Sequence, residues 1–270
     1  MPKKIITEEL KQEIISYYMS QPMTLKQVED KYNLSHPTIS KILKDTPKHT
    51  RAKLNNPNMN ESFFHNLDEN SAYYLGLIIA DGKVFKDGTG RQASISITLN
   101  EEDEYLLFKF KEILKANTAI SHDGRGVSQF AIRSDIMASD LEKHGVIPRK
   151  SYFTYLPKIS DDLMSNLIRG IFDGDGSIQA KLNKDNRFLH SFSFCGTHQL
   201  MQEISNYLYE HLELTQKPSV YDYKDRVLSE IKIQNKHDMF IFGEWLYQDA
   251  NIFMKRKYDK YMVFKEYYNY

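Results

Sequence analysis

Cysteine is nearly absent from this chain, with Cys195 the single one among 270 residues. A disulfide framework and a thiolate zinc site are therefore both excluded. Net charge is absent as well, with 36 basic residues against 36 acidic ones. That balance argues against a protein living on nonspecific attraction to polyanions. An acidic pocket and a basic face can still cancel in the sum while lying apart in space. No stretch reaches the ~18 apolar residues that cross a bilayer, and the N-terminus lacks the apolar core of a signal peptide. The chain reads as cytoplasmic, with room for one large domain and a small one.

What the chain does carry is a repeat. Its first copy is Tyr74-Leu75-Gly76-Leu77-Ile78-Ile79-Ala80-Asp81-Gly82. The second is Ile168-Arg169-Gly170-Ile171-Phe172-Asp173-Gly174-Asp175-Gly176. Each predicts an apolar helix with small residues four apart, closed by an acid and a glycine. Gly76 with Ala80, and Gly170 with Gly174, would let two such helices pack with their backbones nearly touching. Asp81 and Asp175 would then lie side by side at the end of that contact. A carboxylate in the last turn of a helix faces the negative end of the macrodipole. Two together repel each other unless a cation stands between them. Hard carboxylate oxygens in that position suit magnesium. Taken singly, each segment is more simply a core helix stopped by a glycine in the left-handed region. The recurrence is what argues for a shared site.

The rest of the sequence is organised around that repeat. Residues 1–47 read as a small all-α unit. Thr7 and Thr24 cap two helices, Asn33-Leu34 is a turn, and Ser35 caps a third helix with Pro37 in its first turn. Val28, Leu34, Ile39 and Ile42 supply the contacts between the last two helices. This is similar to a helix-turn-helix, whose second helix enters the DNA major groove by its N-terminal residues. His36, Thr38, Ser40, Lys41 and Lys44 are the candidates there. Residues 48–60 read as a linker, basic and with little to bury, which either tracks a phosphate backbone or is a passive tether.

Two halves follow, 61–157 and 158–270, with the same order of elements, α-β-β-α-β-β-α. Each predicts a four-stranded antiparallel sheet covered on one face by helices, so the fold class is α+β. Turns are expected at 87–90 and 123–126 in the first half, and at 183–186 and near Lys224-Asp225 in the second. Asn100 and Thr197 are the expected caps of the helix after the first hairpin in each half. Alternation puts Ala93, Ile95, Ile97 and Leu99 on one face of a strand and Gln92, Ser94, Ser96 and Thr98 on the other.

The repeat and its surroundings resemble the LAGLIDADG family of homing endonucleases, in its single-chain, two-motif form. Phe63-Phe64, Ala72 to Gly76 and Ala80-Asp81-Gly82 are similar to the family's first half. Pro157, Leu167, Arg169-Gly170 and Phe172 to Ser177 are similar to its second. The resemblance spans roughly Asn60 to Phe264. It implies two pseudo-symmetric αββαββα halves packed through their LAGLIDADG helices, forming a DNA-binding saddle. It implies that Asp81 and Asp175, with the main-chain carbonyls of Ala80 and Gly174, hold Mg2+ (or Mn2+) for phosphodiester hydrolysis on each strand. Lys150 and Lys257 match the basic residue that closes each half, near the scissile phosphates.

The same resemblance assigns Gln92, Ser94, Ser96, Thr98, Gln129 and Arg133 to reading the first half-site. Lys181, Arg187, Ser191, Ser193, Lys232 and Gln234 would read the second. Ile79 stands where the second motif has Asp173, and the expected effect is on helix packing alone. The implied partner is double-stranded DNA with a long, non-repetitive target, cut by a monomer encoded in a mobile genetic element. The location is then wherever the host DNA resides. Two other functions share the scaffold. A transcription regulator is favoured by the helix-turn-helix but gains nothing from a repelling acidic pair, and an RNA maturase draws little support from the neutral charge balance.

Overall fold

The computed structural model describes residues 6–86, 91–147, 155–223 and 228–270. The chain divides into two compact units, Met1–Met59 with Lys115–Thr118, and Asn60–Leu114 with Ala119–Tyr270.

The first unit begins with α1 (Glu8–Ser20), α2 (Leu25–Tyr32) and α3 (His36–Ile42). Thr7 accepts from the Leu10 amide, and Thr24 forms a reciprocal capping box with Gln27. Asn33 ends α2 in the left-handed conformation, with φ 48°. Ser35 precedes α3 without a side-chain cap, because its hydroxyl is bonded to that of Thr38. Ile14, Tyr18, Met23, Val28, Ile39 and Leu43 are the core, and Leu34 and Ile42 pack against it partly buried. The segment read as a linker has structure of its own. Thr50 caps a further helix, α4 (Arg51–Asn55), and the His49 amide donates to the Tyr18 hydroxyl at 3.1 Å. Asn56 is buried, and its side-chain oxygen accepts from the Asn117 and Thr118 amides. These polar contacts carry the unit to Met59 rather than residue 47.

The second unit holds the repeat. Its first half runs α5 (Glu69–Asp81), β1 (Gly82–Phe85), β2 (Ser94–Asn100), α6 (Tyr105–Leu114), β3 (Ser121–His122), β4 (Val127–Arg133) and α7 (Asp135–Lys143). The other half runs α8 (Asp161–Asp175), β5 (Gly176–Leu182), β6 (Phe188–Thr197), α9 (His198–His211), β7 (Ser219–Asp222), β8 (Leu228–Ile233), α10 (Lys236–Tyr247) and α11 (Lys255–Tyr268). The two sheets have the same antiparallel order, β1-β2-β4-β3 and β5-β6-β8-β7. Their registers match too, since the glycine that ends each motif pairs with the core strand beside it, Gly82 with Ile97 and Gly176 with Phe194.

The alternation expected for β2 is observed, with Ile95, Ile97 and Leu99 buried and the residues between them half-exposed. Gly124 and Gly126, both at positive φ, make the turn between β3 and β4. Thr197 caps α9 through the Leu200 amide. Asn100 does not cap α6: it precedes a single 3-10 turn, Glu101–Asp103, and makes no side-chain cap. The turns expected at 87–90 and near Lys224 lie outside the described residues. No described helix is long and apolar enough to cross a membrane.

Candidate active site

α5 and α8 pack with Gly76 against Gly170. A Cβ on Gly76 would lie 3.0 Å from the Gly170 Cα and collide with the Leu167 carbonyl oxygen. One on Gly170 would collide with the Tyr73 carbonyl oxygen. A turn further along, a Cβ on Gly174 would strike the Ala80 methyl and lie 3.1 Å from Asp81 Oδ2. The carboxylate that closes α5 therefore lies against the last turn of α8, which its own Asp175 closes. Both acids are exposed, although the helices that carry them are buried through most of their length.

Gly82 and Gly176 are not left-handed helix stops. Their φ values of −87° and −97° are extended, and the chain passes straight into β1 and β5. Glycine is required for space: a Cβ on Gly82 would enter Ile78, and one on Gly176 the Phe172 ring and carbonyl. Each acid is thereby fixed at a helix-to-strand junction.

Among the described residues, no group of three or more His, Cys, Asp or Glu could hold a metal. The donor set at the helix ends is two carboxylates, one from each half. The carbonyls of Ala80 and Gly174 fall in the last turns, where no intrahelical amide follows to take them. Bare Gly174 lets the last turn of α8 approach Ala80 and the Asp81 carboxylate closely. All-oxygen donors of this kind fit a hard divalent cation and not a soft one.

Lys257 comes to this place from the first turn of α11. It is only 2% exposed. Its ammonium donates to the carbonyls of Phe172, at 2.8 Å, and Asp173, at 2.6 Å, and lies 5.2 Å from the centre of the Phe172 ring. A cation at a helix C-terminus is favoured by the macrodipole. Burial pushes the lysine down to about 8, Arg256 adds to the fall, and the charges of Asp173, Asp81 and Asp103 oppose it. It is thus charged below about pH 8 and loses its charge as the pH rises through that value. Its expected counterpart, Lys150, lies outside the described residues.

Asp173 does more than adjust helix packing. It is fully buried, and its Oδ2 accepts from the Tyr73 hydroxyl at 2.8 Å and the Met254 amide at 2.7 Å. Burial pushes its carboxyl up to about 6, against the pull of Lys257. Ile79, its counterpart in α5, is simply buried hydrocarbon.

No protein-family model matches the chain, and no curated protein matches it. Solved structures do. The LAGLIDADG homing endonuclease I-SmaMI, bound to cleaved DNA, superimposes with a TM-score of 0.52 at 16% identity, over 74% of this chain and 88% of that one. The LAGLIDADG meganuclease I-AabMI, bound to uncleaved DNA, gives 0.55 at 13% identity, over 75% and 92%. The fold is that of the LAGLIDADG homing endonucleases. A further match is I-SmaMI on an uncleaved DNA target in the presence of calcium ions, with a TM-score of 0.51 at 16% identity, over 74% and 90%.

In this LAGLIDADG fold the motif helices are α5 and α8, and the outer faces of the two sheets are polar. In the first half, Ser94 pairs with Arg133 and Thr98 with Gln129. Gln129 donates to the Thr98 hydroxyl at 3.1 Å, and Arg133 to the Gln92 carbonyl at 3.0 Å. In the second half Lys181, Arg187 and Gln234 are exposed, and Ser193 and Lys232 half-buried. Ser191 is a correction. It is buried, and its hydroxyl donates to Gln179 Oε1 at 3.4 Å, so Gln179 is the exposed group at that position.

Four further residues share these faces: Lys83 and Phe85 of β1, and Ser177 and Gln179 of β5. Counting alternate residues from the one after each motif glycine, Lys83 and Ser177, would have found them. In the smaller unit His36 is exposed and bonded to Glu29 at 2.5 Å, Lys41 is exposed, and Thr38 and Ser40 are half-buried.

Proposed function

We propose that the chain is a site-specific double-strand DNA endonuclease that depends on a divalent metal. The observation that carries this is the meeting of the Asp81 carboxylate with the last turn of α8, which brings one acid from each half to one place. Asp81 and Asp175, with the carbonyls of Ala80 and Gly174, would hold Mg2+, for which Mn2+ can substitute. When bound, such an ion acidifies water and stabilises negative charge on phosphate oxygens. The chain's own residues do the rest. The paired acids divide the work between the strands, and the lysines, Lys257 and Lys150, offset charge developing at the phosphates. The polar faces of the sheets read base edges through Gln92, Ser94, Ser96, Thr98, Gln129 and Arg133 on one side. On the other side Lys181, Arg187, Ser193, Lys232 and Gln234 do so, joined by Gln179.

The I-SmaMI structure on an uncleaved DNA target in the presence of calcium ions sets the form of the test. Purified protein is incubated with a plasmid carrying its own genomic locus, the gene removed, in magnesium and then in calcium. A discrete double-strand cut in magnesium and binding alone in calcium is expected. Specific binding in both without cutting would instead support a regulator.

Two further results are expected. Arginine in place of Lys257 keeps its charge at all relevant pH, whereas lysine loses it above about 8. The single-turnover rate of the wild type relative to Lys257→Arg should therefore fall between pH 7 and 9. A constant ratio would remove the cation from the mechanism. The smaller unit is read as a DNA anchor through His36, Thr38, Ser40 and Lys41. Deleting residues 1–47, which leaves Asn56 and its contacts in place, should weaken affinity on the order of 100-fold. Cleavage at saturating protein should change far less. Unaltered affinity would show that α3 is not an anchor.

A further inference from the structure

The connection between α10 and α11 is a strap held from both halves of the large unit. Arg169 of α8, itself buried, donates to the carbonyls of Ile252 at 2.8 Å and Leu246 at 2.7 Å. Asp173 takes the Met254 amide. The first half contributes as much. The Tyr105 hydroxyl donates to the Phe253 carbonyl at 3.0 Å and accepts from the Lys255 amide at 2.6 Å. Lys109 donates to the Asn251 carbonyl at 2.7 Å. Buried Asp103 holds the Arg256 guanidinium at 2.9 Å. Tyr73, from α5, closes the set on Asp173.

These contacts are costly to keep. Asp173 and Asp103 each leave one buried carboxylate oxygen without a hydrogen-bond partner among the described residues. Hydrocarbon in place of such groups is often neutral or stabilising, so their presence needs a reason other than stability. What they achieve is positional. They fix the first turn of α11 where Lys257 meets the carbonyls of Phe172 and Asp173. The repeat does not carry these two groups over to α5, where Ile79 stands opposite Asp173 and Leu75 opposite Arg169. Neither side chain accepts or donates a hydrogen bond.

We propose that Asp173 and the Asp103–Arg256 pair are positioning residues that hold Lys257 at the end of α8. The two strand cuts are then made by inequivalent sites, and one of them depends on this strap. The proposal rests on the endonuclease reading above, and its test separates the two.

The test uses the full chain as wild type, Asp173→Asn and Arg256→Gln. Arg256 is partly exposed at the strap's edge and glutamine keeps a donor toward buried Asp103, so its variant is the milder of the two. Two quantities are read. Amine acetylation followed by peptide mass spectrometry reports how well Lys257 is shielded, with no need of DNA. Supercoiled plasmid bearing the target separates nicking from double-strand cutting, and a linear target duplex with each strand end-labelled reports the two cuts separately. Lys257 is expected to be shielded in the wild type and acetylated faster in both variants. Nicked circles should accumulate, with one strand cut at least about tenfold more slowly than the other. A general loss of stability would slow both cuts alike. Equal slowing of both strands, or undiminished shielding of Lys257 in both variants, would overturn the proposal. A wild type that shields Lys257 yet cuts neither strand would overturn the endonuclease reading itself.

Discussion

Asparagine in place of either Asp81 or Asp175 is expected to end double-strand cleavage, lowering the rate by about a thousandfold or more. The protein should still bind its site. Both side chains are exposed at the ends of their helices, so neither substitution opens a cavity or strands a buried group. Asparagine keeps the shape and removes one negative charge. That charge has two effects of opposite sign. In the proposed function it binds the cation that the reaction needs, and it repels the DNA phosphates when no cation is there. Without divalent metal, each variant should therefore bind DNA somewhat more tightly than the wild type. Added calcium should improve wild-type binding more than that of the variants. Fluorescence anisotropy with labelled target DNA, in chelator and then in calcium, reads both effects. Undiminished cleavage by either variant would remove that carboxylate from the active site.

Gly76→Ala and Gly170→Ala are expected to be the most damaging small substitutions in the large unit. Each added methyl meets a main-chain carbonyl oxygen of the other helix, Leu167 in one case and Tyr73 in the other. A side chain could rotate away, but a helix backbone cannot. The two motif helices must separate, and the packing along them is lost. Overpacking of a core costs about 1–3 kcal/mol where side chains can adjust, so about 3 kcal/mol is the expected minimum here. For a unit of this size, that is a fall in Tm of about 10 °C.

Gly124 provides the contrast. A Cβ there meets nothing within 4 Å. Its alanine variant should cost only about 1 kcal/mol, from the positive φ of the turn. Thermal unfolding of the three variants gives the comparison directly. Equal Tm values for Gly76→Ala and the wild type would mean that the helices are not packed as described.

Much of this was legible in the sequence because it depends on local pattern. The spacing of Gly76 with Ala80 and of Gly170 with Gly174 foretold the helix contact. Alternation foretold the polar faces, and the glycines at 124 and 126 foretold their turn. What escaped was burial decided by partners distant in the chain. Lys255, Arg256 and Lys257 are three basic residues in a row. On a helix, successive residues point about 100° apart, so the three part company. Lys255 pairs with Asp259 in solvent, Arg256 reaches Asp103, and Lys257 turns inward to α8.

Asp173 was hidden for a similar reason, since Tyr73 and Met254 lie far from it in sequence. Asn56 sat unnoticed in a polar segment until Asn117 and Thr118 came to it. Ser191 obeyed the strand alternation, yet its cross-strand neighbour Gln179 covers it. Periodicity assigns a face, but not what lies on top of it.

The most direct test of the proposed metal site is to let the metal mark its own position. Fe2+ bound in place of magnesium, with ascorbate and peroxide, releases radicals that cut the nearest main chain. Fragments ending near Asp81 and near Asp175 are predicted, both suppressed by excess magnesium and both missing from the Asp81→Asn, Asp175→Asn double variant. Cuts elsewhere in the chain, or cuts that survive the double substitution, would contradict a metal held between the ends of α5 and α8.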